Sequence, residues 1–284
     1  MHEDVDGPAG ATTGEQPVGS AVRDGHDGPG TGSGPEPAAG VPHRPAASPL
    51  AFEQGTGGHH ARVLEALGTA IAAGDHRPGS VLRTDELEER FQVSRTVIRE
   101  AIRVLESMRL VVSRRRVGVT VCPTQEWNVY DPRVIRWRLA GRDRPRQLRS
   151  LTVLRSAVEP VAARLAAHHA TPAQCAELTE HAMGMVATSR GQQLDAYLVH
   201  DMAFHRVVLA ASGNEMFAPL GDVVAAVLTG RTHHHVMFTD PDPAAVTLHV
   251  QVAEAVRTGD ADRAESLTRE ITHGAMAELD VLAP

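Results

Sequence analysis

A carboxylate and an imidazole one helical turn apart, Asp201 and His205, interrupt an apolar stripe formed by Leu194, Leu198 and Val208. Residues at i and i+4 leave a helix in the same direction, so the pair can chelate one metal ion or bond to itself. Spacing alone leaves both readings open, because a buried charge needs a partner of some kind. His249, on a later stripe with Val246, Ala253 and Val256, brings a third group to an inward face. Asp plus two His with open coordination positions suits one divalent ion, zinc before manganese or nickel, and leaves room for an anionic ligand. Upstream, Arg155 stands four residues before Glu159, the spacing of an intrahelical ion pair.

A second chemical group lies nearer the N-terminus. Ser94, Arg95, Thr96 and Arg99 open a segment whose inner face is Val97, Ile98, Ala101, Ile102, Leu105 and Met108. From such a position a guanidinium reaches guanine O6 and N7 in a major groove, or clamps a phosphate. The triplet Arg114, Arg115 and Arg116 follows between two β-branched runs, Leu110–Val112 and Val117–Val121. Together these arginines make a basic surface suited to phosphate anchoring.

Such groups need elements to hold them. Val63, Leu64, Leu67 and Ile71 recur at helical spacing until Gly74 and Pro78-Gly79 end the segment. A short second helix capped by Thr84, a turn at Gln92-Val93, a third helix capped by Ser94 and a two-stranded wing complete a winged helix-turn-helix over 59–123. A linker over 124–147 is packed by Trp127 and Trp137, and 148–284 reads as an all-helical antiparallel bundle of six or seven helices. The fold class is therefore mainly α. Residues 1–58, rich in Gly, Pro, Ala and Ser without apolar periodicity, read as a disordered tail.

The net charge of -7 argues against a generic polyanion binder, yet the charge is unevenly spread. Residues 59–150 carry eighteen Arg against eleven acids; residues 151–284 carry eight against sixteen. Cys122 and Cys175 are too few and too far apart for a disulfide framework or a cysteine zinc cluster. Neither a membrane span nor a basic-then-apolar leader is evident, so a cytoplasmic location without membrane partners is expected. Without an HExxH, a P-loop or a nucleophile elbow, the chain does not read as an enzyme, although a metal with open positions could activate water.

The stretch VSRTVIREAIRVLESMRLV followed by RRRVGVTV resembles the GntR family of bacterial regulators over 61–121. That resemblance implies contacts to an operator in double-stranded DNA at Ser94, Arg95, Thr96, Arg99, Arg115 and Arg116. Where the family often has an Arg before the core Leu of the second helix this chain has Asp85, and Arg83 is the substitute. LRSAVEPVAARLAA, HDMAFHRVVLAASGN and LHVQVAEAVRTGDADRA resemble the helical FCD ligand-sensing domain of the FadR-type subfamily. WNVYDPRVIRWRLAG resembles its branch that senses sugar acids such as galactonate. This implies a metal held by Asp201, His205 and His249, with Arg155 reaching the carboxylate of a small effector. A sugar acid comes first, an amino acid or fatty acyl group second. The resembled members carry a further His in the last helix, where this chain has Ile271; His273, two residues on, is rotated by roughly 200°. A single winged helix reads too few base pairs for specificity, so a homodimer acting as a repressor is expected.

Overall fold

Apolar residues three and four apart on α1 (Gly57–Ala72) put Val63, Leu64, Leu67 and Ile71 into the core of the N-terminal half. The computed structural model describes residues 57–190, 193–233 and 241–282. The expected tail lies outside the described residues except for Gly57 and Gly58, which open α1. After α1 come β1 (Val81–Leu82), α2 (Thr84–Phe91), α3 (Arg95–Ser107), β2 (Val111–Arg114) and β3 (Gly118–Val121). Gln92 adopts a left-handed backbone (φ 53°) and stops α2, so α3 begins after a turn of three residues. Arg109 (φ 58°) ends α3 in the same manner: its N–H bonds to Glu106 O and the Leu110 N–H to Leu105 O, pairing two terminal carbonyls.

Two sequence expectations are corrected here. The wing belongs to a three-stranded antiparallel sheet in the order β1-β3-β2, with Val81 opposite Thr120 and Ser113 opposite Val119. β1 has two residues, too few to show a period. Second, Thr84 is the first residue of α2, whose cap position is Arg83; Ser94 holds the cap position of α3 as expected, without a side-chain hydrogen bond. The linker over 124–147 is itself partly helical. It holds α4 (Pro132–Ala140), capped by Asp131 accepting from the Arg133 N–H at 2.8 Å, and the start of α5 (Arg144–His169).

α4 buries two faces in two cores. Val134 and Trp137 join the core of α1 and α3, while Ile135 and Leu139 pack with Leu148 and Leu151 of α5 and with residues of two later helices. The Trp137 indole N–H donates to Glu65 on α1 at 2.6 Å, and its ring lies over Gly68, where a Cβ would come within 2.5 Å of it. Trp127 donates to the Cys122 carbonyl at 2.9 Å, so both tryptophans pack this segment as expected.

Beyond α5 follow α6 (Pro172–Thr188), α7 (Leu194–Ala211), α8 (Leu220–His233), α9 (Pro243–Thr258) and α10 (Ala261–Leu282), giving six sensor-half helices among the described residues. α5 runs beside α10, α6 beside α7, and α7 beside α8. Their common core holds Leu178, Met185, Phe204, Leu209 and Val252, and burying each such side chain contributes about 1.5–3 kcal/mol. No helix among the described residues is long and apolar enough to cross a membrane.

Candidate functional site

α3 buries Ile98, Ala101, Ile102 and Leu105 and leaves Arg95, Thr96, Arg99 and Arg103 exposed, as its apolar spacing predicts. Ser94 is exposed at the N-terminus of α3, whose first turn carries no acid and makes no side-chain cap bond with Ser94. Arg95 approaches Glu88 of α2 at 3.9 Å, and Arg83 pairs with Glu86 at 3.6 Å on the surface. At the tip of the wing, Arg115 and Arg116 are the central residues of a turn closed by the Val117 N–H and the Arg114 carbonyl. Arg116 holds φ 67°, a conformation that costs a residue with a Cβ about 1–2 kcal/mol. Arg116→Gly is therefore expected to raise the unfolding free energy, by about 0.5–1 kcal/mol, while weakening operator binding. Chemical denaturation and a salt-titrated binding assay check both halves. A variant that loses stability, or binds DNA as before, would contradict it.

In the sensor half, α5, α7 and α9 each turn polar groups inward. Asp201 Oδ1, His205 Nε2 and His249 Nε2 form a triangle with edges of 3.3, 3.5 and 3.4 Å. The imidazole Nδ1–H of His249 donates to the Ala245 carbonyl at 2.7 Å, and Nδ1 of His205 lies 3.0 Å from Glu159 Oε2. With both Nδ1 atoms spent as donors, the neutral rings turn their Nε2 lone pairs toward the carboxylate oxygen, an arrangement that can hold a cation. All three residues are buried, and the donor set fits a metal ion.

A proton is the competing cation. Burial opposes a charge on His205, but the Glu159 carboxylate and hydrogen bonds donated by the ring to Asp201 and Glu159 push its pKa up to about 9. Burial takes His249 the other way, down to about 4, so it stays neutral. Without metal, His205 bridges Glu159 and Asp201 as an imidazolium, which is the self-satisfied core that the sequence left open.

Arg155, also buried, donates from Nε to Glu159 at 2.7 Å and sets Nη2 3.3 Å from His205 Nε2. The expected Arg155–Glu159 pair is thus present, but it does not exhaust the guanidinium, whose Nη1 has no partner among the described residues. Burial disfavours the charge on Glu159, yet Arg155 and His205 hold its carboxyl well below the usual range. Ile271 is buried in the main core and His273 is exposed on α10, so neither adds a ligand. The sequence also offers the run His233, His234 and His235 as a further source of ligands, and the side chains of that run lie outside the described residues.

The sequence singled out Arg155, Asp201, His205 and His249, and the structure brings all four together. Sequence reasoning missed the second role of Glu159, behind His205, and missed Arg231. The latter sits on the stripe of Val223, Val227 and Leu228, where an Arg among valines was a legible signal.

Comparison with known proteins agrees with this division. Residues 60–121 match the gntR family of bacterial regulatory proteins, and residues 150–274 match the FCD domain. The galactonate operon transcriptional repressor of Escherichia coli (strain K12) is 31% identical over 72% of this chain and 89% of its own length. The uncharacterised HTH-type transcriptional regulator YieP of the same organism is 29% identical over 71% and 87%. The solved structure of E. coli McbR/YncC is 19% identical, covers 80% of this chain and 99% of its own, and superposes with a TM-score of 0.47. The relatives and both matched families are transcription regulators and not enzymes. The chain belongs to the gntR family of bacterial regulatory proteins, as a DNA-binding transcription regulator with a C-terminal FCD domain.

Proposed function

We propose that the protein is a cytoplasmic, homodimeric repressor released from its operator when a sugar acid of the galactonate type binds in the FCD domain. The observation that carries this reading is the convergence of Asp201, His205 and His249 beside an unspent Arg155 guanidinium. Residues 59–123 read DNA through Arg83, Ser94, Arg95, Thr96, Arg99, Arg115 and Arg116, two copies on a pseudo-palindromic site. Residues 148–284 sense and dimerise, and the tail 1–58 is dispensable for both.

Zinc suits the triangle best. Two imidazole nitrogens and one carboxylate oxygen with a fourth position open are a donor set that would suit it. Bound there, it supplies a Lewis acid for the effector's carboxylate. Asp201, His205 and His249 hold the ion, Glu159 orients His205, and Arg155 meets the carboxylate.

A thermal-shift screen of galactonate, gluconate and other carboxylates, with and without zinc, tests the reading. A hundredfold excess over the dissociation constant should stabilise by about 2.7 kcal/mol. His249→Ala should abolish stoichiometric zinc in elemental analysis together with the zinc-dependent part of that shift. If the wild type carries no metal and His249→Ala changes neither effector affinity nor stability, the hydrogen-bonded core replaces the metal site.

A further inference from the structure

Arg231 is the one basic residue on the apolar stripe of α8, and it is only 6% exposed. Its Nη2 donates to Glu278 Oε2 on α10, while its Nε is buried without a partner among the described residues. On α5, Arg155 Nη1 and Thr152 Oγ1 are orphaned in the same way. The two guanidiniums each stand one helical turn beyond Leu151 and Val227, which pack together with Leu279, the neighbour of Glu278. Burial, with the charge of Arg155 behind it, lowers the pKa of Arg231, and both side chains lie in the fields of Asp201 and Glu278.

Each buried guanidinium keeps an N–H group without an acceptor among the described residues, a donor that an anionic or hydroxylated ligand can fill. Each already has one carboxylate, but the carboxylates differ. Glu159 is sealed, its side chain 1% exposed, and it is shared with His205. Glu278 is 32% exposed, so it can turn to water without crossing the core. A long acidic side chain at the rim, holding a buried Arg whose Nε is unused, is placed to yield its position.

We infer that Arg231 is a second anchor for the effector's anionic and hydroxylated groups, and that Glu278 is an internal competitor which the effector displaces. This deepens the effector reading above and rests on it. The alternative is a clasp that only joins α8 to α10.

Calorimetric titration of the zinc-loaded full chain with galactonate separates the two. Arg231→Met with Glu278→Leu removes both charges and strands neither, so the fold and zinc content should be retained. Galactonate affinity should then fall by about tenfold to a hundredfold, the loss expected for hydrogen bonds to a charged group. Glu278→Gln alone should tighten binding, by about tenfold, because the competing charge is gone. Should the double variant not fold, Glu278→Gln carries the test alone. Unchanged affinity in the folded double variant, or unchanged or weaker binding in Glu278→Gln, overturns the inference. If the wild type binds neither galactonate nor gluconate, the effector reading itself fails, a distinct result.

Discussion

Replacing Arg95 and Arg99 together by alanine should weaken binding to the cognate operator by about 2–6 kcal/mol, since a base-reading Arg contributes about 1–3 kcal/mol. The expected loss is purely one of recognition. The Arg95 side chain is 72% exposed and 3.9 Å from its nearest acid, and Arg99 makes no ion pair among the described residues. Exposed substitutions of this kind change stability by less than about 0.5 kcal/mol, so the thermal midpoint should stay put while affinity collapses. The single variants distinguish two modes of contact. Relaxed preference at one base pair marks a base reader, whereas uniform weakening with a shallower salt slope marks a phosphate contact. Normal operator binding by the double variant would remove α3 from the role of recognition helix.

The legible parts of this chain were those where one helix face meets one core. α3 announces itself because Ile98, Ala101, Ile102 and Leu105 follow a single stripe and the arginines fall on the other side. The Asp201, His205 and His249 cluster was legible for a related reason, since polar residues on buried stripes are costly and therefore conspicuous. α4 was not, because Val134 and Trp137 enter one core while Ile135 and Leu139 enter another, leaving no single apolar face to read. β1 depends on pairing with β3 across much of the reader half, which no local pattern records. The bond from Arg231 to Glu278 likewise joins residues 47 apart in sequence, and the use of Glu159 by His205 arises only when α5 meets α7.

Arg155→Ala should cost about 3–5 kcal/mol of stability and abolish the effector response. The stability loss follows from what remains: Glu159, 1% exposed, would keep only His205 as a partner, and a buried ion pair broken from one side leaves an uncompensated charge. The loss of response follows from Nη1, which is buried without a partner among the described residues. Control of DNA binding by an effector requires that it bind two arrangements of the protein with different affinity. Removing the anchor removes that difference without touching α3. The variant is therefore studied at low temperature, where circular dichroism confirms that it is folded. Its operator affinity without effector should equal that of the wild type, and galactonate should no longer change it. Arg155→Lys refines the result, because an ammonium cannot reproduce the two-point contact with Glu159 and should also lose most of the response at a smaller cost in stability. An unaltered galactonate response in folded Arg155→Ala protein would leave Arg155 as a core partner of Glu159 and nothing more.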